Sequence, residues 1–221
     1  MLTVQTFPVN PLSENTYIVS DETQEAVIID CGAFYDQERE AIDKYISSKQ
    51  LKPVAHILTH AHFDHIFSAA FIYDRYGLKA RCHQADLPLF EHAEEQMRDI
   101  LGHALRHYTN SPAGEPLTDD SVITFGTHQL TLIPTPGHTP GGVCFYCAEE
   151  HILFSGDSLF QMSIGRTDFP GGDHWSLIRS LHKLLRELPD DVIVYPGHGM
   201  PTTTADEKKH NPYFCDLEPD S

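Results

Sequence analysis

The chain has few basic residues. Its 221 residues include 15 Lys and Arg against 32 Asp and Glu, so the formal net charge is −17 with histidine neutral. Proteins that bind phosphate backbones or anionic membranes need a basic surface. We therefore expect neither a nucleic acid nor a membrane as a partner, and the oligomeric state stays open.

Long apolar runs and a cysteine framework are also missing. No run approaches the roughly 18 apolar residues that a membrane helix needs, and residues 1–7 show no basic segment leading into an apolar one, so we expect no signal peptide. The five cysteines are odd in number and widely spread, as expected of reduced residues. Cys144 and Cys147 form a C-x-x-C, but on a strand they would point to opposite faces and chelate poorly. We expect a cytoplasmic protein in a reducing setting.

Histidine is the abundant residue. The chain has fifteen histidines, as many as Lys and Arg together, and Asp and Glu outnumber Lys and Arg. Imidazole and carboxylate are ligands for a borderline metal such as zinc. The length suits one α/β domain, which we expect to span residues 1–221 with no separate C-terminal helical domain.

Apolar periodicity predicts two similar halves in which strands and helices alternate. Strands are predicted at 2–7, 16–20, 26–29, 54–58, 79–82, 121–125, 129–133, 142–147, 152–154 and 192–195. Helices are predicted at 36–49, 65–76 and 175–188, with a polar helical segment at 84–108 and a short polar helix near the C-terminus.

One segment concentrates potential metal ligands. His60, His62, Asp64 and His65 lie within six residues, directly after the apolar run that ends at Leu58. A loop at the end of a strand lets a rigid sheet present side chains to a ligand. Four ligands in so short a stretch are hard to explain as ordinary surface or core residues, and they predict a metal site.

Three later residues have the same placement. His138, Asp157 and His198 each follow a predicted strand, and each is flanked by glycine. Glycine lets the backbone turn sharply and approach a ligand closely. Together with the first segment, these residues make a coherent set of seven potential ligands. The set has more ligands and a more open arrangement than the four-coordinate, cysteine-rich sites typical of structural zinc.

The order of these motifs identifies a family. The runs THAHFDH, GHTPGG, SGD and PGHG resemble the metallo-β-lactamase fold superfamily, and the match spans about residues 2–210. This resemblance implies a four-layer αββα sandwich with two divalent metal ions at one edge, zinc first and iron or manganese as alternatives. It further implies the ligand sets: His60, His62 and His138 for the first metal; Asp64, His65 and His198 for the second; Asp157 bridging both. Asp64 and Asp157 are the implied catalytic residues.

The chemistry expected of such a site is hydrolysis. Two metals about 3.5 to 4 Å apart can hold a water and lower its pKa toward neutrality. Zinc lactamases usually carry cysteine where this chain has Asp157, and the aspartate resembles the glyoxalase II and ribonuclease Z branches. We therefore expect a small-molecule thioester, such as a hydroxyacyl thioester, as the substrate.

The segment after Asp157 leaves alternatives open. Residues 158–169 resemble small glyoxalase II-like hydrolases, in which Arg166 would contact the substrate or else hold its own loop through Asp168 or Asp173. The run Gly165 to Phe169 also resembles persulfide dioxygenases, which bind a single iron. Lactonase, phosphodiesterase and non-catalytic metal-binding readings are weaker, and the strong negative charge disfavours a nuclease of the ribonuclease Z type.

Five further residues are set apart from the ligand set. His103 and His107 share one face of the polar helical segment and are expected either to be solvated or to border the pocket. We expect His56 to be buried and hydrogen-bonded, Asp30 to support the ligand loop as an outer partner, and Trp175 to belong to the core.

Overall fold

The first half of the chain forms a five-stranded sheet. The computed structural model describes residues 1–102 and 108–214. The strands lie side by side in chain order, with antiparallel pairing among the first three and parallel pairing among the last three. They are β1 (Thr3–Val9), β2 (Glu14–Ser20), β3 (Glu25–Ile29), β4 (Lys52–Ile57) and β5 (Ala80–Arg81).

The second half contributes a six-stranded sheet and a short hairpin. The larger sheet has the order β13-β12-β9-β8-β7-β6, in which only the pair of β9 and β12 is parallel. Its strands are β6 (Val122–Phe125), β7 (His128–Pro134), β8 (Val143–Cys147), β9 (Ile152–Gly156), β12 (Ile193–Pro196) and β13 (Thr202–Thr203). The hairpin pairs β10 (Leu159–Phe160) with β11 (Ser163–Ile164).

Seven α-helices connect or cover the strands. They are α1 (Asp36–Ser48), α2 (Phe63–Ile66), α3 (Ala69–Tyr76), α4 (Leu87–Glu91), α5 (Ala93–Leu101), α6 (His174–Glu187) and α7 (Thr204–His210) among the described residues. Helix α6 begins where the Asp173 side chain accepts a hydrogen bond from the Ser176 N–H, an N-cap that satisfies an otherwise free helix donor.

The apolar side chains show that the layers are helix, sheet, sheet and helix. One core lies between the two sheets, with Ile29 and Ile57 facing Phe145 and Phe154. A second core joins α1 and α3 to the outer face of the first sheet, and a third joins α6 to the outer face of the second. The predicted αββα sandwich is confirmed, and each half of the chain supplies one sheet.

The first half departs from the expected helix pattern in two places. The helix expected at 65–76 is two helices, α2 and α3, because Ser68 has non-helical dihedral angles and its N–H donates to the Cys31 carbonyl oxygen. Within the segment expected to be polar and helical at 84–108, the described residues form a 3-10 turn (Gln84–Asp86) followed by α4 and α5, and they bury Phe90 and Met97.

Two side chains are placed differently from their predictions. Trp175 is 68% exposed rather than part of the core, because α6 buries a stripe at Leu177, Leu181, Leu184 and Leu185. His56 is buried as expected, but its ring nitrogens have no hydrogen-bond partner among the described residues. Its cross-strand neighbours, Ile28 and Ala80, are apolar, and burial lowers its pKa to about 3.

The C-x-x-C pair behaves as the strand geometry predicts. Cys144 packs in the core under α6, whereas Cys147 packs between the two sheets, so the two thiols lie on opposite faces of β8. Both are free and buried. Among the residues that the structure describes, no helix has the length and apolar character needed to cross a membrane.

Candidate metal centre

The predicted ligands meet at one edge of the sandwich. They follow the carboxyl ends of β4, β7, β9 and β12, which run in the same direction within their sheets. His60 and His62 lie in the loop after β4, and Asp64 and His65 occupy the first turn of α2. His138, Asp157 and His198 follow the other three strands. The topology therefore brings together residues that are up to 138 positions apart, counted from His60 to His198.

Three histidines form the first group. The ring nitrogens of His60, His62 and His138 lie within 4.8 Å of one another, and His62 Nδ1 is 2.8 Å from His138 Nε2. All three side chains are buried. These are the residues predicted to hold the first metal.

The second group contains a carboxylate and two histidines. Ligand atoms of Asp64, His65 and His198 also lie within 4.8 Å of one another, with His198 Nε2 at 3.3 Å from Asp64 Oδ2. These residues match the predicted ligands of the second metal.

Asp157 lies between the groups. Its Oδ2 is 3.5 Å from His138 Nε2 and 3.6 Å from His198 Nε2, and its Oδ1 is 3.4 Å from His65 Nε2. Gly197 makes this approach possible, because a Cβ at that position would lie 2.2 Å from Asp157 Oδ1. The carboxylate is thus placed where a bridging ligand would be.

Outer hydrogen bonds orient the rings. His65 Nδ1 is 3.0 Å from Asp30 Oδ2, His138 Nδ1 is 2.6 Å from the Arg166 carbonyl oxygen, and His198 Nδ1 is 3.0 Å from the Leu12 carbonyl oxygen. An imidazole that donates from Nδ1 turns a free Nε2 lone pair toward the cluster, as metal-binding histidines usually do.

Asp30 has the supporting position expected of it. Its carboxylate accepts hydrogen bonds from the Thr59 N–H and the Thr59 hydroxyl as well as facing His65. The backbone of Asp30 has a φ of 57°, a left-handed conformation that costs free energy in residues other than glycine. This strained position holds the ligand loop after β4 and the second-group histidine together.

Two supporting residues were missed by the sequence analysis. Glu14 is fully buried beneath His65, with Oε1 at 3.8 Å from His65 Nδ1, and burial raises its pKa well above the usual value. The Asn10 amide donates to the carbonyl oxygens of Asp64 and Gly32. Each is a single polar residue far along the chain from the ligands, and neither belongs to a local motif.

The pKa values of the histidines in the cluster are shifted in different directions. Burial, together with the neighbouring imidazoles, lowers the pKa of His60 well below normal and that of His62 to about 3. Burial also opposes charge on His65, but the carboxylates of Asp157 and Asp30 outweigh it and raise its pKa. Burial would raise the pKa of Asp157, yet His65 and the other histidines hold it well below normal. The neutral imidazole is thus favoured at His60 and His62 and the charged form at His65, while Asp157 is held ionised. Neutral imidazole and ionised carboxylate are the forms that bind metals.

The unsatisfied atoms fit a metal pair. His60 Nε2, His65 Nε2 and Asp157 Oδ1 are buried and form no hydrogen bond with any described residue, although the last two atoms lie 3.4 Å apart. Buried polar atoms normally have a partner, so each exception needs an explanation. All three face the cluster, and nitrogen and carboxylate oxygen are the donors that zinc, iron and manganese accept. The donor set therefore fits two divalent cations.

Arg166 lies on the wall of the same site. A cavity of about 510 Å³ opens onto Asp64, His138, Asp157 and His198, and Arg166 lines it. The guanidinium forms a bidentate pair with Asp168 and lies 3.9 Å from the Phe169 ring centroid. The side chain thus holds its own loop while it borders the cavity, and its role in substrate binding stays a prediction. His103 and His107 lie outside the described residues.

A second cavity adjoins the first. It measures about 450 Å³, and its walls include Pro88, Leu89 and Pro140. Both cavities are lined by His62, Ile100 and Phe169. The two cavities therefore meet at these three residues, beside the histidine cluster.

A sandwich of this topology, with histidine and aspartate clusters at its edge, defines a metal-dependent hydrolase fold. The family model "Metallo-beta-lactamase superfamily" matches residues 9–198, and the chain belongs to that superfamily.

Two curated relatives match over nearly their whole length. The chain is 35% identical to "Probable metallo-hydrolase YqgX" of Bacillus subtilis, covering 94% of this chain and 95% of the relative. It is 33% identical to "Hydroxyacylglutathione hydrolase GloC" of Haemophilus influenzae, covering 96% and 98% respectively.

Solved structures agree on the fold. BLEG-1, titled a B3 metallo-beta-lactamase, superposes with a TM-score of 0.87 at 39% identity, covering 96% of this chain and 100% of its own. TTHA1623, in a di-iron-bound form, gives 0.81 at 38% identity, with coverage of 95% and 100%. ETHE1 from Myxococcus xanthus gives 0.76 at 25% identity, with coverage of 95% and 83%.

Proposed function

We propose that this protein is a binuclear metallohydrolase that cleaves a small-molecule thioester, of the hydroxyacyl type. The observation that carries the proposal is the set of buried atoms on His60, His65 and Asp157 that have no hydrogen-bond partner among the described residues, in a cluster whose Asp157 lines an open cavity. The resemblance to the hydroxyacylglutathione hydrolase GloC supports the reaction class.

The chain's own residues would bind the metals and shape the reaction. His60, His62 and His138 would hold one cation; Asp64, His65 and His198 the other; Asp157 both. Bound divalent cations would acidify a water molecule and polarise the thioester carbonyl. We propose zinc as the native metal, with the di-iron form of TTHA1623 supporting iron as an alternative.

The cavity walls would orient the substrate. Phe160 and Ile164 line the cavity beside the cluster, where they would exclude bulk water from a short acyl group. The thiol carrier would extend past Phe169 into the adjoining cavity. In the reaction, water supplies the oxygen of the new C–O bond, the C–S bond breaks, and the thiol leaves with a proton.

Hydrolysis of a lactoyl thioester by the metal-loaded protein tests the proposal. We expect release of free thiol without oxygen uptake, together with about two equivalents of metal by elemental analysis. His60→Ala should abolish the release, whereas His128→Gln, at the opposite end of β7, should leave it unchanged. No thiol release from a panel of thioesters would overturn the proposal.

A mononuclear-iron persulfide dioxygenase is the second candidate. It is favoured by the loop run from Gly165 to Phe169 and by the similarity to ETHE1. Oxygen consumption with glutathione persulfide, measured with one equivalent of bound iron, would select it over the thioesterase. Because BLEG-1 is titled a metallo-beta-lactamase, the same panel should include a chromogenic β-lactam, for which we expect no turnover.

A further inference from the structure

We propose that Asp86 is a positioning residue that holds the ligand loop of the first half in register with the His138 loop of the second half. The inference rests on the metal centre of the proposed function but not on the identity of the substrate.

The Asp86 carboxylate joins the two loops directly. Its Oδ2 accepts a hydrogen bond from the Ala61 N–H at 3.1 Å, between His60 and His62. The same oxygen accepts from the Thr139 hydroxyl at 2.7 Å, and Oδ1 accepts from the Gly141 N–H at 2.6 Å, next to His138. Because one carboxylate accepts hydrogen bonds from both loops, this single side chain connects the two backbones.

Asp86 is packed closely against the His138 loop. Asp86 is fully buried, at the end of the 3-10 turn, where its own N–H donates to the His83 carbonyl oxygen. A Cβ at position 141 would lie 2.7 Å from the Asp86 Cγ and Oδ1. Glycine at this position therefore allows the carboxylate to reach the backbone of the His138 loop.

The geometry of the first group depends on this link. His60 and His62 come from the first half and His138 from the second, and the Asp86 contacts lie one to three residues from each. The second group has different supports, since Asp30 faces His65 and the Leu12 carbonyl faces His198. Loss of the Asp86 carboxylate should therefore loosen the three-histidine group selectively.

Residues next to the Asp86 contacts line the second cavity. They are Ala85, the chain neighbour of Asp86, and Pro140 of the His138 loop. The same carboxylate that aligns the ligands thus also fixes the spacing between two walls of that cavity.

Cobalt titration of the Asp86→Asn variant tests the inference. Asparagine keeps the size, but its amide nitrogen would face backbone N–H donors. With Co²⁺ as the probe and visible absorption as the readout, we expect the affinity of the three-histidine site to fall about 10- to 100-fold, the usual effect of losing an outer partner. The other site should change less than about threefold.

Glu207→Gln is the matched control. Glu207 is also fully buried and accepts three hydrogen bonds, from the Met162 N–H, the Thr202 hydroxyl and the Asn211 amide. None of these partners is a proposed ligand or lies in the His60 to His65 or His138 loop. We expect a loss of thermal stability in this variant with both cobalt affinities unchanged.

A milder variant covers the case in which Asp86→Asn does not fold. Thr139→Val removes one of the three hydrogen bonds and should weaken the three-histidine site alone, by about threefold to tenfold. Equal weakening of both sites, wild-type affinity in both Asp86→Asn and Thr139→Val, or the same loss in Glu207→Gln would overturn the inference. The titration uses no substrate, so failure of thioester hydrolysis would leave its outcome unaffected.

Discussion

Histidines and carboxylates cluster at both ends of β7, but the two clusters are built differently. At the start of the strand, His128 Nδ1 is 3.1 Å from Asp21 Oδ2, and His128 Nε2 is 3.1 Å from Glu150 Oε1. At the other end, His60 Nε2 and His65 Nε2 have no hydrogen-bond partner in the part of the chain that the structure describes. The same residue types make a closed ion-pair network in one place and an open donor set in the other.

The comparison shows what distinguishes a ligand site from a structural cluster. In the cluster at the start of β7, the Asp21 and Glu150 carboxylates each face a ring nitrogen of His128, so the charges are satisfied within the protein. In the metal-centre cluster the Nδ1 atoms of His65, His138 and His198 face oxygen partners, whereas His60 Nε2, His65 Nε2 and Asp157 Oδ1 have none among the described residues, an arrangement that fits a cation. The predictions below separate these two kinds of cluster.

The largest expected effect comes from Asp157→Ala. It removes the carboxylate placed between both groups, so we expect metal content to fall and the rate of thioester hydrolysis to drop by more than about 100-fold, beyond the usual cost of losing an outer partner. Elemental analysis and steady-state kinetics would measure this. As the control, Asp21→Ala in the closed cluster should bind metal normally. Near-wild-type activity of Asp157→Ala would contradict the assignment of Asp157 as a metal ligand.

Metal removal should affect stability next most strongly. A ligand that binds only the folded state at about 1,000 times its Kd stabilises by about 4 kcal/mol. We therefore expect chelation to lower the free energy of unfolding by about that amount, measured by urea denaturation with and without zinc. His128→Gln should show the same metal-dependent shift, since its cluster binds no cation. A metal-independent unfolding curve in the wild type would argue against the site.

The closed cluster should instead respond to pH. Burial opposes charge on His128, but its hydrogen bonds to Asp21 and Glu150 outweigh burial and raise the pKa. The protonated histidine therefore stabilises the fold below its ordinary pKa of about 6.5, and this contribution is lost as pH rises through the higher folded value.

His128→Gln would test this pH dependence. We expect the substitution to cost about 1 kcal/mol at pH 6 and less at pH 9, as measured by urea unfolding of metal-free protein. An equal cost at both pH values would show that the histidine acts through packing alone.

Arg166→Ala should have the smallest effect. Exposed ion pairs contribute little to stability, so we expect the melting temperature to stay within about 2 °C of wild type, a small ΔΔG for a chain of this size. Steady-state kinetics should show KM raised by about threefold, equivalent to about 0.6 kcal/mol, with kcat unchanged. A fall in kcat without a change in KM would indicate that Arg166 acts on the ligand His138 rather than on substrate.

Much of the site could be predicted because its ligands sit at strand ends. An apolar run followed by a histidine next to glycine is visible locally, so His138 and His198 could be located without knowing the fold. The approximate strands and helices followed from apolar periodicity for the same reason. The pairing of the two halves through Asp157, in contrast, required the family resemblance.

The supporting residues could not be predicted in this way. Asp86 is one acid within the predicted helical segment 84–108, and its contacts appear only when the fold brings Ala61 and Gly141 to it. Glu14 stands on a strand with no neighbouring ligand motif. Trp175 shows the converse: its apolar character suggested burial, but the leucine stripe of α6 faces the sheet from another side of the helix.

The division of the ligands between the two sheets has a consequence for folding. Four of the seven come from the first half and three from the second, so neither half alone holds a complete set. Because metal binding is coupled to folding when the site forms late, metal uptake should follow docking of the two sheets. During refolding, the appearance of metal-bound protein would then time the long-range assembly step, with the metal acting as a reporter of sheet docking.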